Sequence, residues 1–405
     1  MALPLEGIRV LDLSIWQQGP YASALLADMG ADVIKVEGPD RQDPGRAFIF
    51  DGRRGLSAYF ESHNRNKRAI AVDLRHPKGT GVLLTLAATA DVFLHNSRAG
   101  AMEKLGLGYE MVRRVNRSII YAWASAFGEE GPDAALGALD LLGQARGGLM
   151  SVTGEPDDPP LPAGVPVADQ VGAMMMAVGI LGALVHRQRT GEGQQVTSSL
   201  LGSQLALQSF NITHHLLTGH VPRRQPRAGP IPSWNVYRGS DGRYFVLGML
   251  QEGWWERFCN TIGRPELAPN PRFGSFRERA VNAAELTAIL DEHFATQPAG
   301  HWVRALCDHD LLAAPVQNYA EVVQDPQVLA NDYIVEVPRD GEAPPIRMVN
   351  TGLRFSATPV GVRRAAPGFG QHTEEVLLEA GYTREEIESL RAEGVIGVRG
   401  EGAGR

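Results

Sequence analysis

Asp169 is the residue of this chain best suited to covalent chemistry, because of what flanks it. Ahead of it runs a small-residue, proline-broken passage, residues 147–160. Behind it lies an apolar run, residues 171–185, closed by His186-Arg187-Gln188-Arg189-Thr190-Gly191-Glu192-Gly193-Gln194. An aspartate at the mouth of a buried helix accepts hydrogen bonds from free backbone N–H groups and feels the positive helix end. Both effects favour the ionised form, and an ionised carboxylate in a cleft is able to act as a covalent nucleophile. The same placement equally suits a plain N-cap, so residues elsewhere in the chain must decide between the two.

Gln17 and Gln18 precede Gly19-Pro20 in the first strand-to-helix turn. A glutamine amide there either donates to a developing oxyanion or is an ordinary turn residue. Asp140, in Gly137-Ala138-Leu139-Asp140, is either a second carboxylate in the same cleft or a helix cap. Arg75 follows a strand ending at Asp73, and Arg98 and Lys104 follow one ending at Leu94. Ligands of open α/β sheets bind beyond the carboxyl ends of the strands, so cations there can meet the phosphates of a nucleotide-like ligand. Singly, each is as readily a solvated loop charge; their repetition after successive strands is the signal. Other chemistries find no pattern to use. His214 and His215 are adjacent and diverge on a helix, and His301, Asp308 and His309 read as a solvated face. No His-Glu-x-x-His, paired Cys-x-x-Cys, Gly-x-Ser-x-Gly or P-loop occurs, and no metal site is expected.

The elements that must position these residues follow from periodicity. Residues 7–13 suit a buried strand, 21–29 a helix stopped by Gly30, and 32–37 a second strand. Residues 69–73, 79–89 and 91–94 repeat the unit, and 118–123 add another strand. The fold class is therefore α/β, with a Rossmann-like large domain over 1–220 that lacks the Gly-x-Gly-x-x-Gly of a dinucleotide site. A proline- and arginine-rich connector at 222–232 leads to a hairpin pattern at 235–247 and helical patterns at 254–262 and 284–294. These make a smaller α+β domain over 225–325. The C-terminal part, 326–405, carries a strand pattern at 347–355 and a helix at 373–380, and 400–405 reads as disordered.

Composition narrows the class. The 405 residues exceed what one core needs, and 43% hydrophobic with 21% charged residues is ordinary for a soluble protein. A net charge of -7 leaves no basic surplus for nucleic acid. Two cysteines, Cys259 and Cys307, make no disulfide framework and suit a reducing compartment. The N-terminus has no signal-peptide pattern, and the apolar run 171–185 falls short of the ~20 residues of a bilayer span. A cytoplasmic protein with no membrane partner is expected.

Taken in order, the motifs resemble the class III CoA-transferase family of CaiB–BaiF type, the superfamily of formyl-CoA transferase and α-methylacyl-CoA racemase. The likeness is carried by residues 10–13 through Gln17-Gln18-Gly19-Pro20, by 30–37, by Asn64-Arg65-Asn66-Lys67-Arg68 and by His95-Asn96-Ser97-Arg98. It continues through 105–110, 147–154 with Pro159-Pro160, Asp169, 189–194, Asp325-Pro326-Gln327 and 371–377. The resemblance implies an interlocked homodimer, each chain threading a ring made by the other, with the C-terminal part returning to the large CoA-binding domain. It implies that Asp169 attacks the donor thioester, passing through an aspartyl–acyl anhydride and an aspartyl-CoA thioester, with Gln17 beside the reacting carbonyl. Val72, Asp73, Leu74, Arg75, Asn96, Ser97, Arg98 and Lys104, and more loosely Arg41, match the region holding the CoA nucleotide. The implied partners are an acyl-CoA and a small carboxylic acid, with CoA a substrate and no cofactor bound permanently.

Departures from the family sharpen the choice. Racemases carry a His-Asp pair where this chain has Leu139-Asp140, and leucine cannot exchange an α-proton. Formyl-CoA:oxalate transferases have tyrosine at the Leu139 position and a glycine run where Arg227 to Pro232 is stiffened by prolines, which argues against oxalate. The expectation is a CoA-transferase acting through Asp169. Two alternatives stay open: an α-methylacyl-CoA racemase or epimerase, and a weakly active CoA-ester-binding subunit of a hetero-oligomer.

Overall fold

A computed structural model describes residues 2–52, 55–227, 229, 231–339 and 343–397. Apolar and β-branched runs form β1 (Arg9–Asp12), β2 (Asp32–Glu37), β3 (Arg68–Val72), β4 (Val92–His95), β5 (Ile120–Ser125) and β6 (Gln195–Ser199). These six are parallel in the order β3-β2-β1-β4-β5-β6, and Ile396–Gly397 pairs antiparallel beside β3. This is a mixed α/β fold on a mainly parallel sheet whose winding reverses between β1 and β4, where such sheets open a ligand crevice.

The helices that bear on the site are α1 (Gln18–Asp28), α2 (Ala58–Asn64), α3 (Pro77–Ala87), α4 (Asp140–Arg146) and α5 (Val167–Thr190). Helices α6 (Leu200–Leu207) and α7 (Ser209–Thr218) follow. Side chains alternate across the pleat. Val10, Val33 and Val92 join a core with Ala22 and Leu26 of α1 and Met176 and Ile180 of α5. Leu11, Ile34 and Phe93 face the other layer, with Val82 and Leu86 of α3 and Val376, Leu377, Ile387 and Leu390 from the C-terminal helices.

Polar ties bring the C-terminal part to this sheet. Asn66, held at φ 63, donates to Asp28 and to the Gly361 carbonyl, and accepts from the backbone N–H groups of Arg363 and Arg364. Arg68 reaches Asp32, Glu375 and Glu379 together. The basic Asn64–Arg68 stretch is therefore a structural knot.

Two sequence expectations are corrected. The strand expected over 347–355 is only Ile346–Val349, paired with Ile334–Val337; none of residues 350–355 has a strand opposite it. The apolar run at 171–185 belongs to a 24-residue helix, because the polar residues at both of its ends continue the turn. By length and composition α5 is long enough to cross a membrane, so the shortness inferred from the run alone does not hold. In the structure one of its faces is buried against α1 and the sheet. Packing there is close, since a Cβ on Gly172 would meet Gln18 Nε2 at 2.7 Å.

By contacts the chain divides into two compact units, Met1–Met150 with Pro162–His220 and Gln327–Arg405, and Ser151–Leu161 with Val221–Pro326. The second unit holds an antiparallel sheet of Trp234–Arg238, Tyr244–Gly248 and Ala313–Pro315. Its core includes Tyr237, Phe245, Phe258, Leu290, Phe294 and Trp302. Ser151–Leu161 groups with this unit, where the Arg224 guanidinium donates to the carbonyls of Glu155, Asp158 and Pro159. Ala228 and Pro230 of the connector and residues 398–405, including the tail expected to be disordered, lie outside the described residues.

Candidate active site

The crevice at the reversal point is built on the loop after β1. Asn96, just past β4, clamps Ile15: its Oδ1 accepts from the Ile15 N–H at 2.9 Å and its Nδ2 donates to the Ile15 carbonyl at 2.6 Å. Trp16 then takes φ 66, an uncommon conformation for a bulky residue. Its N–H donates to Asp43 Oδ1 at 3.1 Å, an oxygen that also caps Gly45. The other oxygen of Asp43 meets the Lys35 ammonium at 2.8 Å as an ion pair, and both side chains are fully buried. Lys35 also donates to the Ser14 carbonyl, and Lys67 joins Asp12 at 2.9 Å beneath it. Burial alone would raise the Asp12 pKa, but the Lys67 and Lys35 charges outweigh it and hold the carboxyl well below its ordinary range.

This scaffold delivers Gln17 to the N-cap position of α1, where its side chain caps nothing. Gln17 is 2% exposed and its Nε2 donates to no group among the described residues. A buried amide without a partner is uncommon in a folded chain and points to a missing acceptor. Gly19 is required here: a Cβ would lie 2.3 Å from the Ser14 Cβ.

Asp169 is the third residue of α5, not its cap, which is the Pro166 position. The free N–H groups of this helix start go to another chain segment: Asp140 Oδ1 accepts from Ala168 N at 2.7 Å and Asp169 N at 3.1 Å. Gln144 donates to Asp140 Oδ2 at 2.6 Å. Asp140 is thus both a cap, for a helix not its own, and the second carboxylate of the cleft. A Cβ on Gly143 would come within 2.9 Å of the Ala168 Cβ, which shows how closely α4 and α5 pack to achieve this. The Asp169 side chain itself has no hydrogen-bond partner among the described residues. Burial, and then the Asp140 charge, push its pKa up to about 7. The expectation that the helix start favours the ionised form is therefore reversed, because Asp140 has taken the donors that would have stabilised it.

The proposed nucleotide-contacting residues fall into two groups. Arg41, Arg98 and Lys104 are exposed and have no carboxylate partner among the described residues. Arg75 is exposed but tied, its Nε to Asp73 at 2.9 Å and its Nη2 to Asp40 at 2.7 Å. Val72 is fully buried, Asp73 and Leu74 are half-buried, and Asn96 is spent on Ile15. The Ser97 carbonyl accepts from Trp123 Nε1.

Sequence reasoning missed the wall opposite. A cavity of about 570 Å³ is lined by Gln17, Tyr21, Tyr59, His63, Pro166 and Gln170, among others. Tyr59 packs edge-on to Phe48 and Trp16. Burial, followed by the charges of Asp169, Asp43 and Asp140, raises the Tyr59 phenol well above its usual range, which keeps it protonated near Asp169. Residues 58–63 carry no motif that marks them, and only tertiary structure turns α2 toward α5.

Comparison with known proteins is consistent across the chain. The profile of CoA-transferase family III matches residues 5–373. The chain is 34% identical over 395 residues to the succinyl-CoA–D-citramalate CoA-transferase of Chloroflexus aurantiacus, covering 97% of this chain and 98% of that one. It is 35% identical over 384 residues to the succinate–glutarate CoA-transferase of Agrobacterium fabrum, covering 93% and 95%. A crystal structure of a CaiB/BaiF family protein from Brucella suis aligns with a TM-score of 0.84 at 32% identity, over 94% of this chain and 100% of that one.

Proposed function

The chain belongs to CoA-transferase family III, and we propose that it moves CoA from an acyl-CoA donor to a carboxylic acid through covalent intermediates on Asp169. An Asp169 oxygen attacks the thioester carbonyl, the C–S bond breaks, and CoA leaves as thiolate with the acyl group held as a mixed anhydride. The thiolate attacks the aspartyl carbonyl, releasing the donor acid and leaving an aspartyl-CoA thioester. The incoming carboxylate repeats the first step and the thiolate the second, which frees Asp169 and a new acyl-CoA. No proton is gained or lost overall.

The observation that carries this reading is a largely buried Asp169 carboxyl with no hydrogen-bond partner among the described residues, in the same compact unit as a Gln17 amide whose buried N–H lacks an acceptor. That amide is the proposed donor to the oxyanion of each tetrahedral intermediate. Asp140 fixes the helix start and, by its charge, raises the free energy of the ionised nucleophile. Arg41, Arg98 and Lys104 are the proposed phosphate contacts, with Arg75 joining after exchanging Asp73 or Asp40 for phosphate. The two relatives named above act on succinyl-CoA or succinate with D-citramalate or glutarate, and short acids of this size are the class proposed here. The racemase alternative needs a second base, and Leu139 supplies none. An interlocked homodimer is part of the same proposal.

Asp169→Ala abolishes transfer while CoA binding persists. Hydroxylamine trapping during turnover, followed by peptide mass analysis, yields a hydroxamate on Asp169. Transfer retained in the variant overturns the reading.

A further inference from the structure

The cavity beside the nucleophile holds more than the reaction above uses. Gln170 follows Asp169 in the first turn of α5 and lines the cavity with Gln17, Tyr59 and His63. Its Oε1 is buried and accepts no hydrogen bond among the described residues. An empty buried acceptor is unfavourable unless a ligand brings the donor.

His63 is a second acceptor. Its Nδ1 lies 2.6 Å from the Tyr59 carbonyl oxygen, which can only accept, so Nδ1 carries the proton and Nε2 keeps its lone pair. Burial pushes the His63 pKa down to about 4, which leaves the ring neutral near pH 7. Arg65 on the same wall is already spent, on Asp28 at 2.7 Å and on the Ser62 carbonyl. Acceptors in want of a donor favour a hydroxyl, the uncharged donor that a carboxylic acid most simply carries.

We propose that Gln170, together with His63, reads a hydroxyl group on the carbon chain of the acid that exchanges at Asp169. The inference rests on the transferase reading and deepens it by naming the substrate class, short hydroxy acids. Gln170 lines the same cavity as Gln17, the proposed oxyanion donor, so the hydroxyl it meets belongs to the acid whose carboxyl reacts there.

The test is label exchange between an acyl-CoA and its own free acid, which needs no second substrate. Butanoate and glutarate are each compared with their 2- and 3-hydroxy forms. One hydroxy form in at least one series is expected to exchange roughly tenfold or more faster in kcat/KM than its parent acid, as one hydrogen bond allows. Gln170→Met, of similar length and apolar, removes that preference while exchange of the parent acid persists, which also shows that the variant is folded. His63→Phe reduces the preference in the same direction. Equal exchange of hydroxy and parent acids by the native protein, or a preference unchanged in Gln170→Met, overturns the proposal. Exchange surviving Asp169→Ala for every acid overturns instead the transferase reading beneath it.

Discussion

At the scale of single residues, the unusual feature is an elevated carboxyl at a helix start. A carboxyl held at about 7 when folded, against 3.8 as reference, binds its proton more tightly in the native state. Stability from this group is therefore full below about pH 4 and is lost as pH rises toward 7. Asp169→Asn removes the penalty: its melting temperature matches the native value near pH 4 and exceeds it increasingly up to pH 7, with a constant gap above. Thermal melts across that range check this, and a gap that shrinks with rising pH refutes it. Activity runs the other way, since only the carboxylate attacks; kcat/KM is expected to rise through about pH 7 and then level. Gln17→Leu, which removes the proposed oxyanion donor but keeps the bulk, is expected to cost about 10²–10³ in kcat with little change in KM. Asp169 and Gln17 were legible in the sequence because each sits at a predicted element boundary within a family motif. Tyr59, His63 and Gln170 were not. Their roles come from α2 facing α5, and no local spacing encodes a contact between segments a hundred residues apart.

At the scale of elements, the loop from Ser14 to Gln17 is held from below by buried charge. Asp43 fixes the Trp16 N–H with one oxygen and pairs with Lys35 through the other. Asp43→Ala strands a buried ammonium and is expected to cost roughly 3–5 kcal/mol of stability, read by denaturant unfolding. Asp43→Asn keeps an acceptor for Trp16 and separates the two roles. If the network positions Gln17, this variant lowers kcat while KM for the acyl-CoA stays near native. A loss of stability with kcat unchanged would make the network purely structural. The sequence shows β1, β2 and the helix between them because apolar runs and Gly30 mark them. It hides the network, since Lys35 and Lys67 read as surface charges in any pattern based on hydrophobicity. It hides the Asp140 cap of α5 for a different reason: that bond joins residues 28 apart in sequence.

At the scale of the whole molecule, the parallel order was legible from repeated strand–helix–strand units. The return of the C-terminal part came from the family resemblance and not from periodicity, because it depends on Asn66 and Arg68 meeting partners some 300 residues away. What the single chain leaves uncovered bears on assembly. Met174, Met175 and Val178 of α5, and Phe210, Leu216 and Leu217 of α7, are exposed, the last three by 75–81%. Large apolar side chains are costly to leave in water, and burying each gains about 1.5–3 kcal/mol. A second copy of the chain is the proposed cover, in keeping with the interlocked homodimer. Light scattering behind size exclusion is then expected to give twice the chain mass at micromolar concentration. Phe210→Asp with Leu217→Asp places two charges on the buried face and shifts the protein toward the mass of one chain, with transfer activity falling in step. A native protein that runs as a single chain while fully active would remove both the dimer and any role for these side chains in it.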